Sequence, residues 1–201
     1  MNYFFLFLFY IIIFNSNVFS VVCEYKYEPK KTILKWKAFK FSNRVGIEGT
    51  FDKIVVTQSK PAYSIQEFSD SVKFKIEVQS LNTNNIERDQ KIMNIFFGSL
   101  IETKEIVGEF KNIKMNGDSG KGELILKINK KELPVPIIFK VREEKEIELR
   151  GNLDLNNWNA NKALEILNKE CTSYHKGKDG KSKLWSDIEF YLISEINLIC
   201  R

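Results

Sequence analysis

The chain has 201 residues, 43% of them hydrophobic and 28% charged, with a formal net charge of +5 at pH 7. That is enough for one domain with a real core. One histidine and three cysteines exclude a histidine-rich metal site, and no metal or cofactor is expected.

Tyr3 to Phe14 is an unbroken apolar run, shorter than the ~20 residues a bilayer-spanning helix needs. Val18-Phe19-Ser20 supplies small or β-branched residues at the −3 and −1 positions of a signal-peptidase site, although no Lys or Arg precedes the run. The expectation is export, with residues 1–20 removed and 21–201 forming one domain. A lipoprotein reading of Cys23 is disfavoured because Val22 stands where that motif takes Gly, Ala or Ser.

Thr32 to Phe41 alternates Leu34, Trp36 and Ala38 with lysines, as a strand does; Asn43 turns it into Val45 to Thr57. Gly46 and Gly49 inside that second strand mark a bulge or a place of close approach. Pro61 to Ser69 is a loop with a helical turn at Ile65 to Phe68. Next comes the stretch that organises the chain, Ser71 to Phe97. Val72, Phe74, Ile76 and Val78 share one face, and Lys73, Lys75, Glu77 and Gln79 the other. A polar turn, a short helix around Glu87 to Met93 and the pair Phe96-Phe97 follow. An apolar-faced strand, a turn and a small helix over a barrel mouth suit a container for an apolar ligand.

Strands continue at Glu102 to Met115, Glu123 to Asn129, Leu133 to Val141 and Ile147 to Leu155, with turns at Asn116-Gly117-Asp118, Lys130-Lys131-Glu132 and Arg142 to Lys145. Pro134 and Pro136 suggest an edge or the start of a strand. From Asn157 to Asn168 the apolar period lengthens to that of an amphipathic helix, with Asn156 or Asn157 as cap. Trp185 to Ile196 is the last strand. The fold class is all-β: an antiparallel, lipocalin-like barrel of about eight strands with one or two short helices, since closure removes the edges of such a meander.

The lysines fall in pairs and in the segment Lys176 to Lys183, spread among nearly as many acids. Nucleic acid is not an expected partner, because no concentrated basic patch with interleaved aromatics exists. Transient contact with an anionic membrane surface stays open. Three cysteines in an exported chain imply one disulfide, and of the three pairings Cys23–Cys171 is favoured.

The segment SLNTNNIERDQKIMNIFF resembles the S-(I/L)-(D/N)-T-x-(N)-x-x-R-D-x-x-(L/M)-x-x-x-x-F-F signature of the YceI-like family. WKAFKFSNRVGIEGTFDKI is similar to that family's first hairpin with its G-x-F strand. KKELPVPIIFKV stands where the family has G-V-T-K-x-V-x-L, with Lys130-Lys131 in place of Gly-Val. ALEILNKECTSYHKGKDGKSKLWSDIEF is similar to a subset with a Cys and a His before a Gly-Lys and a Trp-x-Asp. The resemblance runs from about Glu24 to Ile196. It implies a lipocalin-like barrel, usually periplasmic, that encloses a long polyisoprenoid lipid such as a quinone or its precursor.

The lumen candidates are Trp36, Phe39, Phe74, Ile76, Phe110, Ile137 and Phe139, with Phe96 and Phe97 closing or lining one end; if that pair lies on a strand, only one ring points inward. Core packing is the competing explanation for each. Arg88 and Asp89 are read as a structural motif, either a surface ion pair or a tether from Arg88 to the turn carbonyls, rather than as head-group ligands. No residue is assigned a catalytic role: G-x-S-x-G, P-loop, H-E-x-x-H and CxxC motifs are all absent. Two rival readings remain. One is a thiol-dependent enzyme or redox protein using Cys171, Cys200 or His175; the other is a protein-interaction module with a filled core.

Overall fold

Two strands of this chain break in mid-run, and those breaks decide how the sheet closes. The structure, a computed structural model, describes residues 21–201 apart from 144, with backbone only at 29–31. The expected signal sequence, 1–20, lies outside the described residues. Ten strands form one antiparallel sheet: β1 (Cys23–Lys40), β2 (Val45–Phe51), β3 (Ile54–Gln58), β4 (Lys73–Glu77), β5 (Leu81–Asn82), β6 (Glu105–Asn116), β7 (Ser119–Ile128), β8 (Lys131–Arg142), β9 (Glu146–Asp154) and β10 (Asp187–Cys200). Their order is β3-β4-β6-β7-β8-β9-β10-β1-β2-β5.

β2 and β3 are halves of one run, interrupted at Asp52-Lys53, and β4 and β5 are halves of another, interrupted by the 3-10 turn Val78–Ser80. β2 pairs with β5 and β3 with β4. Across the breaks the Asp52 N–H donates to the Ser80 carbonyl at 2.9 Å and the Glu77 N–H to that of Lys53 at 3.1 Å. Counted through both breaks, the sheet is a closed barrel of eight strands. The expected architecture stands.

β8 shows why the wall is regular. Val135, Ile137, Phe139 and Val141 are buried while Pro134, Pro136, Ile138 and Lys140 are exposed, the period of two that a sheet with one dry face imposes. The two prolines precede Ile137, where pairing with β9 begins, so neither is asked for a donor along that ladder. The β7–β8 hairpin turns at Asn129-Lys130, one residue earlier than expected, with φ of 51° and 60°. Two consecutive positive φ values are what a tight hairpin requires.

Four short helices lie against the barrel: α1 (Ile65–Asp70), α2 (Ile86–Lys91), α3 (Asn161–Glu170) and α4 (Thr172–His175). The helix expected over 157–168 is divided. A 3-10 turn, Leu155–Trp158, ends at Asn159 in the left-handed region, and α3 begins only at Asn161. The division seats Trp158 inside the core at 1% exposure, its Nε1–H donating to the Leu126 carbonyl at 3.1 Å.

The favoured disulfide is corrected. Antiparallel pairing of β1 with β10 sets Cys23 directly opposite Cys200, and those two are bonded. Cys171 is free and buried. The reason is topological: α4, which follows Cys171, packs by Lys40, at the other end of β1 from Cys23.

Candidate functional site

The barrel encloses a cavity of 330 Å³ walled almost wholly by apolar side chains. One water needs about 10–15 Å³ of such space, so the lumen is not plugged by its own core. Trp36, Phe39, Phe74, Ile76, Phe96, Phe97 and Phe110 border it. Ile137 and Phe139 do not; they line a separate 70 Å³ cavity that Phe74 and Phe110 also border. Phe74 and Phe110, their ring centroids 5.7 Å apart, therefore stand between the two spaces.

Phe96 and Phe97 lie on helical turns, not on a strand. α2 continues through a π-helical turn, Ile92–Phe96, into the 3-10 turn Phe97–Ser99. Both rings consequently face the lumen, packed edge-to-face at 5.0 Å. Phe97 meets Phe51, and Phe51 meets Trp36, each at 6.4 Å, so an aromatic row crosses one side of the cavity.

Arg88 and Asp89 hold α2 to the turn before it. Arg88 donates from Nε to the Thr83 hydroxyl at 2.8 Å and from Nη2 to the Thr83 carbonyl at 2.7 Å. The buried Asp89 carboxylate accepts from the Thr83 amide at 3.0 Å and from its hydroxyl. Asn85 caps the helix by accepting from the Arg88 amide at 2.9 Å. Thr83, with neighbours on both sides of its hydroxyl, is the pivot of the motif.

Above the apolar walls lies a polar mouth bordered by Lys40, Glu87, Arg88, Lys91, Tyr174 and His175. Tyr174 latches α4 to α2 across it: its hydroxyl donates to Glu87 at 3.3 Å, and Lys91 sits 4.3 Å from its ring centre. Lys91 bonds Glu87 and holds that carboxyl below its usual range. Burial, then the Arg88 charge, lowers Lys40. Burial, then the Lys40 charge, lowers His175 to about 4, so it is neutral at physiological pH. Burial likewise pushes the Cys171 thiol up, which disfavours its thiolate.

Lys40, Phe51 and Tyr174 were not anticipated at the site. Lys40 had a signal: it continues the face of Leu34, Trp36 and Ala38, all of which border the lumen, and a lysine on an otherwise apolar strand face belongs at an opening. The structure thus defines a class, a closed barrel with a vacant apolar interior reached through a cationic rim.

Solved structures of the same form are known. A polyisoprenoid-binding domain from Saccharophagus degradans, implicated in plant cell wall breakdown, superposes with a TM-score of 0.60 at 8% identity, over 90% of this chain and 100% of that one. BcnA of Burkholderia cenocepacia superposes with a TM-score of 0.59 at 10% identity, over 86% and 99%. A mutant of a Campylobacter jejuni YceI protein aligns at 17% identity over 77% and 85%, with a TM-score of 0.49. No family model matches the chain, and no curated protein matches it in sequence. The fold is the antiparallel barrel of the Saccharophagus degradans domain and of BcnA.

Proposed function

We propose that this protein is a YceI-like periplasmic carrier that holds a long-chain polyisoprenoid lipid, a quinone or its precursor, in the barrel lumen. The observation that carries this reading is the apolar 330 Å³ cavity that the protein's own side chains leave unfilled. A filled core, as an interaction module would have, leaves no such space. Each buried methylene contributes ~0.8 kcal/mol, so a five-carbon isoprene unit brings up to about 4 kcal/mol. Association costs an estimated ~4–15 kcal/mol; one unit would barely hold, whereas several would bind well. A tail of this kind needs no catalytic group, and the protein is read as a binding protein and not an enzyme. The Saccharophagus degradans domain supports the ligand class by its name.

Loading and release take place at a membrane surface. The segment Lys176 to Lys183 carries four lysines and one aspartate and leads into Leu184 and Trp185, both at the lumen, so the basic loop and the opening face the same way. Weak attraction to anionic lipid follows from that placement.

The test is organic extraction and mass spectrometry of the protein purified from its own host. A prenyl lipid in stoichiometric amount is expected. A lumen that yields nothing extractable, and that takes up no added prenyl lipid, refutes the carrier.

A further inference from the structure

The rim of the lumen is more cationic than an apolar tail requires, and its charges are unevenly matched. Lys91 is neutralised by Glu87. Lys40 and Arg88 have no carboxylate partner among the described residues: the Lys40 ammonium donates to the Tyr174 carbonyl at 3.1 Å, and Arg88 spends Nε and Nη2 on Thr83. The Lys40 ammonium also lies 4.6 Å from the centre of the Phe41 ring, a contact that uses no hydrogen-bond acceptor, so protons on Lys40 Nζ and on Arg88 Nη1 are left for an anion. Both side chains are half-buried, border the cavity, and lie close enough for the Arg88 charge to disfavour protonation of Lys40. Two like charges gathered in a partly dry rim destabilise each other. An anion at the rim reverses the sign of the interaction and is a hydrogen-bond acceptor for the donors that it reaches.

We infer that the rim formed by Lys40 and Arg88 binds an anionic head group, a carboxylate or a phosphate, carried by the lipid whose chain fills the lumen. The inference rests on the lumen reading above and narrows it: the neutral quinone drops out, and an acidic prenylated precursor remains. The geometry fits. Lys40 closes the inward row Leu34, Trp36, Ala38, so its ammonium marks where apolar wall gives way to water. Arg88 is fixed by the Thr83 bonds, so its spare Nη is presented without further loss of side-chain freedom. His175, neutral and half-buried beside them, contributes no competing negative charge. The Glu87 carboxylate is already engaged by Lys91 and Tyr174, and the buried Asp89 carboxylate, which meets Arg88 only through the shared Thr83 hydroxyl, is engaged by the Thr83 amide and hydroxyl.

The experiment compares three heads on one chain: geranylgeraniol, geranylgeranyl monophosphate and geranylgeranoic acid. Each is titrated into delipidated protein, read by the fluorescence of Trp36 and Trp185 at the lumen. At least one anionic probe is expected to bind about tenfold more tightly than the alcohol, and which one identifies the head group. In Lys40→Gln the ratio of anionic-probe to alcohol affinity falls to about one. Equal affinity for all three probes in the unmutated protein overturns the head-group inference and leaves the lumen reading standing. So does a Lys40→Gln variant that keeps the full preference for an anion. Failure of every probe, the alcohol included, overturns the lumen reading and this inference with it.

Discussion

Trp36 on β1 stands directly opposite Gly49 on β2, and its indole covers the glycine: a Cβ placed on Gly49 would lie 2.4 Å from Trp36 Cζ2. The relationship recurs in three other ladders. Phe74 is paired with Gly108, Phe139 with Gly120 and Phe190 with Gly151, each with a ring atom 2.4–2.5 Å from where a Cβ would be. A ring opposite a glycine occupies the space of the missing side chain and lies along the wall. Facing a second large residue, it would project into the barrel. These pairings give the wall its aromatic surface without filling the lumen.

Gly108→Ala tests this account. The added methyl forces the Phe74 ring off the wall and toward the cavity, because no ordinary contact is as short as 2.4 Å. Overpacking of this kind costs about 1–3 kcal/mol. The variant is expected to fold with a lower urea midpoint and to bind prenyl chains more weakly. Unchanged stability together with unchanged binding would show that Phe74 has room to yield, and the glycine would then have no role in keeping the lumen open.

Phe110→Ala addresses the partition between the two cavities. With that ring gone, the 330 Å³ lumen and the 70 Å³ space lined by Ile137 and Phe139 run together. The expected cost is about 2–3 kcal/mol, below the ~3–5 of a fully buried Phe→Ala change because Phe110 is only half-buried. In return, the chain length at which affinity levels off should increase. A series of prenyl alcohols of rising length measures it, and an identical plateau in variant and parent argues that the lower cavity is never used.

Much of the barrel was legible because a one-sided sheet writes its period into the chain. Val135, Ile137, Phe139 and Val141 could be placed on one face without any coordinates. Local signals also carried the Gly117 turn, whose φ is +59°, and the close approach at Gly49. Phe96 and Phe97 were rightly placed at the cavity, but the side each ring takes was not legible: two adjacent rings are ambiguous until the period of the backbone beneath them is known, and the π-helical turn that ends in Phe96 has no strong residue signature. The disulfide failed because three cysteines far apart in sequence are sorted only by register, and register is a property of the closed sheet. Lys40 drew no reading: the row Leu34, Trp36, Ala38 puts it on the inward face, but the opening itself is defined only where β1 ends.

His175 sets an acid limit on stability. Held at about 4 against an ordinary 6.5, chiefly by burial and then by Lys40, it stays neutral in the fold while the unfolded chain takes up its proton. Between about pH 6.5 and pH 4 the unfolded state therefore binds more protons, and stability falls as the pH is lowered through that window. The ring is about half exposed, so solvent screening limits the loss to about 1–2 kcal/mol. Glu87 and Glu148 act lower, since their carboxyls, held down by Lys91 and Arg142, begin to protonate only below the ordinary 4.5. Urea midpoints at pH 7.0, 6.0, 5.0 and 4.5 should decline in the parent and flatten in His175→Gln. Parallel curves would place the acid sensitivity elsewhere.

The cysteines separate a carrier from a thiol enzyme. Cys171 borders the lumen but is buried, with its thiol pushed up by that burial, and Cys23 and Cys200 are bonded to each other. Native protein should therefore show no thiol reactive toward an aromatic disulfide reagent at neutral pH, and one on unfolding. The bond joins positions 177 apart in sequence, for which the chain-entropy model gives up to about 5 kcal/mol. Reduction should lower the urea midpoint sharply. Lipid binding under conditions where the reduced protein is still folded should persist, because Lys40 and the mouth lie at the other end of β1. A fast-reacting thiol in the native state, whose alkylation abolishes a measurable turnover, would instead favour chemistry at Cys171.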